Sequence, residues 1–188
     1  VATISFVLVA ALAAFAAVTL RLQARRRRRV PDVTLTLFRG GMASLLVIVV
    51  AGIAVALEPT FAASQRSAVL IGMLALVGLF VSVISGMLYK IMPFLNWLHL
   101  QRIGKPGLVV PNMRQMISEP RMMMQFRLHL AALLLLLGAV PLPLLVYPGG
   151  AALIASCIWL EWNLVVATRN FARFSRELEE RLAAEKTG

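Results

Sequence analysis

The most constraining feature of this sequence is the spacing of its charged residues, which are separated by long apolar runs. No Asp, Glu, Lys or Arg occurs in residues 1–20, 40–57, 67–89 or 128–160. A helix needs about 20 apolar residues to cross the ~30 Å hydrocarbon core of a bilayer. The hydrophobicity is continuous rather than alternating, which excludes membrane-spanning strands. With 60% hydrophobic and 14% charged residues, the chain is also too apolar for a water-soluble domain.

The fourth run is long enough for two helices, and its prolines and glycines divide it near Gly149. We therefore predict an all-α, polytopic transmembrane helix bundle (residues 1–168) with five spans. They lie near residues 1–21, 38–57, 67–91, 127–146 and 151–168. Pro93 should break or kink the third span just after Lys90, and residues 92–126 are predicted to form an interfacial amphipathic connection. Residues 169–188 are predicted to continue the last span as a cytoplasmic amphipathic tail, in which Glu177 and Arg181 have the favourable four-residue spacing.

The predicted orientation follows from the basic residues. All Lys and Arg residues except Arg66 fall on the same side of the predicted bundle. Basic residues stay on the cytoplasmic side during insertion, so the N-terminus is predicted outside and the C-terminus inside a bacterial inner membrane. Five consecutive arginines follow the first span, where they act as a topological anchor and attract anionic lipid headgroups. They are Arg25, Arg26, Arg27, Arg28 and Arg29. Although the net charge is +11, this placement argues against nucleic acid as a partner.

Glu161 is the most informative charged residue, because counting from an apex near Gly149 places it close to the bilayer midplane. A carboxylate at that depth costs at least ~2.5 kcal/mol and should therefore face protein. Ser82 or a neighbouring chain is the predicted partner. The carboxyl group is interpreted as a structural hydrogen-bonding group, with a proton relay and a subunit contact as alternatives. Asn163 and Tyr89 are further polar candidates within the spans.

Small residues recur every four positions on the third span, at Gly78, Ser82 and Gly86. This stripe is typical of closely packed membrane helices, and close approach to a flat cofactor ring is the alternative. His99 and His129 are the two histidines of the chain. Two histidines can clasp a haem iron or a metal ion. Both are predicted near the cytoplasmic interface, however, so hydrogen bonding is favoured over cofactor binding, and no metal site is predicted.

A stretch of the third span, Ser82-Val-Ile-Ser-Gly-Met-Leu-Tyr-Lys-Ile-Met-Pro-Phe-Leu-Asn-Trp-Leu-His-Leu-Gln, resembles part of a group of bacterial polytopic proteins. These look like distant relatives of haem-copper oxidase subunit I and of NnrS-type proteins. The shared pattern falls on Gly86, Tyr89 and Pro93, with further similarity in Val110-Pro-Asn-Met, Gln125-Phe-Arg-Leu-His-Leu-Ala and Trp159-Leu-Glu-Trp-Asn-Leu. The histidine-rich helix that this resemblance implies has no counterpart here and is expected upstream of Val1.

Together these features predict a non-catalytic accessory or scaffold element of a respiratory or other redox membrane assembly, in contact with lipid and other membrane subunits. No catalytic residue is predicted. One alternative is a haem- or copper-handling redox protein, in which haem would be the cofactor held by His99 and His129. A second alternative is a proton-coupled permease centred on Glu161.

Overall fold

The computed structural model describes residues 2–25, 32–58, 60, 64–103 and 111–187, and every regular element among them is helical. Two single 3₁₀ turns, Met113–Gln115 and Pro143–Leu145, join the longer elements. Five helices are long and apolar enough to cross a membrane, which confirms the predicted all-α, five-span class. They are α1 (Ala2–Ala24), α2 (Val33–Leu57), α3 (Gln65–Ile103), α4 (Glu119–Gly138) and α5 (Val146–Thr187).

The helices pack in an order that follows the chain. α1 packs on α2, α2 packs on α3, and α3 contacts both members of the α4–α5 hairpin. Basic side chains of α1, α3 and α5 gather at one end of this bundle, which we call the basic end; they include Arg25, Lys90, Arg102 and Arg169. Four of the five arginines predicted as a topological anchor, Arg26, Arg27, Arg28 and Arg29, lie outside the described residues.

The start of α2 lies at the basic end and is capped by a side chain. The Asp32 carboxylate accepts hydrogen bonds from the Thr34 backbone N–H at 3.0 Å and from the Thr34 hydroxyl at 2.7 Å. Such a cap satisfies one of the backbone donors that the first turn leaves free. Arg39 then donates to the Gln23 carbonyl at 3.2 Å, which ties α2 to the end of α1.

Pro93 does not break the third helix, because α3 stays helical through Pro93 to Ile103. A proline inside a helix removes a backbone hydrogen bond and costs about 3 kcal/mol. Packing beyond Pro93 offsets this cost: Leu100 is fully buried in a core with Met116 and Ala167. The predicted connection 92–126 is therefore shorter at both ends, since residues 92–103 belong to α3 and residues 119–126 belong to α4.

The turn between the last two spans was also misplaced, by about two helical turns. The chain reverses at residues 139–142, and Gly149 lies inside α5 rather than at the apex. A Cβ atom added to Gly149 would lie 3.2 Å from the backbone nitrogen of Leu136. Gly149 therefore serves close packing of α5 on α4, because a side chain there would force the two helices apart.

α5 is one continuous helix of 42 residues and includes the predicted tail up to Thr187. At 1.5 Å per residue its length is about 63 Å, roughly twice the hydrocarbon thickness. Glu177 pairs with Arg173, one turn before it, at 3.5 Å. The sequence spacing had suggested Arg181, one turn after Glu177.

Two glycines of the small-residue stripe, Gly78 and Gly86, face α2. A Cβ atom on Gly78 would lie 2.9 Å from the Ser44 Cβ atom, and one on Gly86 would lie 3.1 Å from the Thr34 carbonyl oxygen. Both distances are shorter than an ordinary van der Waals contact. α2 and α3 can approach this closely only because these two positions lack side chains.

We predict that Gly78→Ala and Gly72→Ala, both on α3, have opposite effects on stability. Gly78→Ala should destabilise the protein by roughly 1–3 kcal/mol, because the new methyl group overlaps Ser44. Gly72 has open space around its Cα, so alanine there should be neutral or stabilise the helix by up to about 1 kcal/mol. Reversible unfolding in mixed detergent micelles measures both changes, and equal effects of the two substitutions would refute the packing role of Gly78.

Candidate functional site

Seven polar side chains are buried together where α3, α4 and α5 meet, and we call them the polar cluster. Each has at most 3% of its surface exposed. They are Ser82, Ser85 and Tyr89 of α3, Gln125 and His129 of α4, and Ser156 and Asn163 of α5.

The positions of these residues along each helix explain why they meet. Residues three, four or seven apart lie on the same face of an α-helix. The three members on α3 follow one another at spacings of three and four, the two on α4 are four apart, and the two on α5 are seven apart. Each helix thus contributes one short polar stripe to a common interface that is otherwise apolar.

Three side-chain hydrogen bonds cross between these helices. Ser82 Oγ lies 2.8 Å from His129 Nε2 and joins α3 to α4. Gln125 Nε2 donates to Ser156 Oγ at 3.1 Å and joins α4 to α5. Asn163 Nδ2 donates to the Tyr89 hydroxyl at 2.8 Å and joins α5 to α3. Each pair of helices is therefore linked by one bond between side chains of the cluster, and the three bonds close a triangle.

The basic end of the cluster is also anchored to the backbone. Asn163 Nδ2 and Trp159 Nε1 both approach the Arg121 carbonyl oxygen, at 3.3 Å and 3.1 Å. These contacts connect α5 to the first turn of α4. Arg121, Asn163 and Tyr89 consequently lie at one level of the bundle, next to Lys90.

The other end of the cluster follows an unusual helical segment. Residues Leu74–Val81 of α3 form a π-helix, and Ser82 comes directly after it. The Ser82 hydroxyl lies 3.5 Å from the Val77 carbonyl oxygen, five residues earlier. π-helical turns are rare and occur frequently at functional sites. Here the widened turn sets the position from which Ser82 meets His129.

Four buried atoms of the cluster have no hydrogen-bond partner within the described part of the chain: Ser85 Oγ, Gln125 Oε1, His129 Nδ1 and Asn163 Oδ1. For His129 this holds in either neutral tautomer, because Ser82 occupies Nε2. An unsatisfied buried polar group costs about 1–3 kcal/mol. The cluster therefore holds the helices together. It also leaves hydrogen-bonding atoms that are free to bond a small polar molecule.

The structure separates the two histidines that the sequence suggested as joint ligands. His129 bonds to Ser82 of α3. His99 lies 17 residues after Ser82 on the same helix, or about 25 Å away along its axis. His99 instead packs edge-on against Phe171, with ring centroids 6.2 Å apart. At this separation the two histidines of a single chain do not meet around one haem iron or metal ion. Among the described residues, no group of three or more His, Cys, Asp or Glu side chains could hold a metal ion.

The structure places Glu161 at a different level of the bundle, relative to His129, from the one that the sequence predicted. The contacts of Trp159 and Asn163 with Arg121 place Glu161 at the basic end, and its side chain is exposed. Ser82, the expected partner, bonds His129. His129 lies two turns further into α4 than Arg121, about 12 Å deeper. The order of the two residues is reversed because the chain turns at residues 139–142 rather than at Gly149.

Three members of the cluster, Ser85, Gln125 and Ser156, were missed by the sequence reasoning. The signal was present for Gln125, which lies four residues before His129 on the same helix face. Ser85 similarly follows Ser82 by three. Serine is common in membrane helices, where it bonds its own backbone, so its spacing alone does not mark a site.

No family model, curated protein or solved structure matches this chain. The arrangement of the polar cluster must therefore be interpreted from its own geometry.

We predict that Tyr89→Phe destabilises the bundle and Tyr147→Phe does not. Loss of the Tyr89 hydroxyl breaks the link from α3 to Asn163, and such bonds in membranes are worth about 0.6 kcal/mol on average and up to about 1.7. Tyr147 is the matched control, because its side chain is 78% exposed. In combination with Asn163→Leu, the Tyr89 substitution should cost less than it does alone. Strict additivity of the two in unfolding measurements would contradict the bond.

Proposed function

We propose that this chain is a non-catalytic accessory or scaffold element of a membrane assembly, and that the projecting part of α5 holds partner subunits. The observation that carries the proposal is the continuity of α5, a single helix of 42 residues. A bilayer accounts for about 20 of them. The remainder extends beyond the basic end, and we call residues 171–184 the arm.

The arm has one side that packs on its own protein and one side that is free. Phe171 and Phe174 pack against the core at the basic end, and Leu178 is 3% exposed. These three residues share one helix face. The other face presents six exposed charged side chains of both signs: Arg173, Arg176, Glu177, Glu179, Glu180 and Arg181.

Hydrogen bonds that fix the base of the arm support a scaffold role. Asn96 Nδ2 donates to the Ala167 carbonyl at 3.3 Å, and Asn170 Nδ2 donates to the Met116 carbonyl at 2.9 Å. α5 is thereby attached to α3 and to the segment before α4 where it leaves the bundle. A surface that is already ordered loses little entropy when a partner binds.

The surroundings of the scaffold form part of the proposal. Concentration of the basic side chains at one end supports an orientation with that end in the cytoplasm of a bacterium and the N-terminus outside. The resemblance to haem-copper-oxidase-like proteins at Gly86, Tyr89 and Pro93 supports a respiratory or redox assembly as the partner. In that setting, any haem would belong to another subunit or another part of the assembly.

A native gel of a mild-detergent extract tests the scaffold proposal. The wild-type chain should migrate in a complex much larger than its own 20.5 kDa plus a micelle. Arg176→Glu with Arg181→Glu should shift it to the size of the free chain, because the charges on the free face of the arm are reversed. Arg102→Glu with Arg114→Glu makes the same change in net charge at the same end, off the arm, and should leave the complex intact. A wild-type chain that runs alone would refute the proposal.

The unpartnered atoms of the polar cluster favour a second candidate, a proton relay centred on His129 rather than on Glu161. One observation argues against this relay. On the side of Ser82 away from the basic end, the described buried polar side chains are only Ser44, which lies beside Gly78, and Ser67. Gly78 and Ser67 are 11 residues apart on α3, which leaves about 16 Å of apolar interior. A relay would therefore end inside the bundle.

Proteoliposomes with an internal pH-sensitive dye distinguish the two candidates. The scaffold proposal predicts that an imposed pH gradient decays no faster in proteoliposomes than in protein-free liposomes. A faster decay that His129→Leu abolishes, with the melting temperature retained, would favour the relay. Glu161→Gln serves as the control, since its exposed carboxylate lies outside the cluster.

A further inference from the structure

A cleft of about 410 Å³ lies at the basic end between α5 and the segment that leads into α4. We call it the arginine pocket. It is lined by Gln115, Ser118, Arg121, Val166, Arg169 and Asn170. We propose that this pocket binds the phosphate group of an anionic phospholipid. The inference is independent of the scaffold role of the arm.

The charge of the pocket is the first reason. Arg121 and Arg169 line the cleft from two different helices, and each carries a positive charge. Within the described part of the chain, the one ion pair joins Arg173 and Glu177, so no carboxylate lies within 4 Å of either pocket arginine. Guanidinium groups present planar sets of donors that match phosphate oxygens. Two uncompensated arginines facing one cleft favour an anionic ligand.

The neutral lining adds hydrogen-bond donors of the same kind. Ser118 precedes the first turn of α4 without bonding that turn through its side chain, and Gln115 is exposed. Ser118 and Gln115 are therefore available to further phosphate oxygens. The pocket also adjoins the positive, N-terminal end of the α4 dipole, which favours an anion there.

The walls of the pocket are held by bonds that a ligand would not disturb. The Arg121 carbonyl accepts from Trp159 and Asn163, which leaves its guanidinium free while its backbone is fixed. On the opposite wall, Asn170 donates to the Met116 carbonyl at 2.9 Å. A site whose walls are fixed before binding loses less entropy when the ligand arrives.

The surface next to the pocket favours a lipid over a soluble phosphate compound. Along α5 toward the membrane interior, Trp162, Ile158 and Ile154 follow on one face and are 50%, 62% and 63% exposed. The Arg169 guanidinium lies 5.6 Å from the Trp162 ring centroid. A headgroup phosphate at the arginines would therefore place an acyl chain along this apolar stripe, with the tryptophan at the interface between them.

Native mass spectrometry of the detergent-purified full chain tests this inference with phosphatidylglycerol as the probe. We expect one phosphatidylglycerol per chain to survive detergent removal, and phosphatidylcholine with the same acyl chains to be retained less. Arg121→Gln with Arg169→Gln should lower the bound fraction about tenfold or more, because both phosphate contacts are lost. Arg102→Gln with Arg176→Gln removes two charges from the same end outside the pocket and should leave binding unchanged.

Equal losses in the two double variants would overturn the inference, because they would indicate attraction to the basic end in general. Displacement of phosphatidylglycerol by millimolar inorganic phosphate would overturn the lipid assignment in favour of a soluble phosphate compound. If the pocket variant does not fold, competition on the wild-type protein decides: equal displacement by phosphatidylcholine and phosphatidylglycerol would refute a headgroup site.

Discussion

Hydrocarbon offers polar groups no water to bond, and the interior of this protein depends on that constraint. A polar side chain placed between α3, α4 and α5 is stabilised when it bonds a partner on a neighbouring helix. Ser82 with His129, Gln125 with Ser156, and Tyr89 with Asn163 form such bonds pairwise. Apolar packing alone discriminates little between helix arrangements in lipid. These directional bonds therefore favour one arrangement of α3, α4 and α5 over others.

The basic end has a different physical character. There α3 and α5 continue past the level of the charged residues, and they enclose an apolar core that includes Leu100, Met116 and Ala167. The core keeps α3 helical beyond Pro93 and fixes the base of the α5 arm, so the same packing that stabilises this end also displays its charged surface.

Two candidate surfaces follow from this division. The arm presents charges of both signs beyond the basic end, whereas the arginine pocket presents uncompensated positive charge beside an apolar stripe. The first surface fits a protein partner and the second fits the boundary between headgroup and acyl chain. The polar cluster lies on the side of the pocket away from the arm, with His129 about 12 Å deeper than Arg121, and it holds together the helices that carry both surfaces.

The sequence by itself determined the helical class and the number of spans, because hydrocarbon thickness and backbone hydrogen bonding leave a 20-residue apolar run few alternatives. It also revealed the concentration of basic residues and the small residues Gly78 and Gly86. Only the tertiary structure decided which polar residues meet. The sequence predicted the turn of the hairpin about two helical turns too late. This shift reversed the predicted depths of Glu161 and His129, because each residue advances a helix by 1.5 Å. Helix pairing depends on such registers, and local sequence patterns do not encode them.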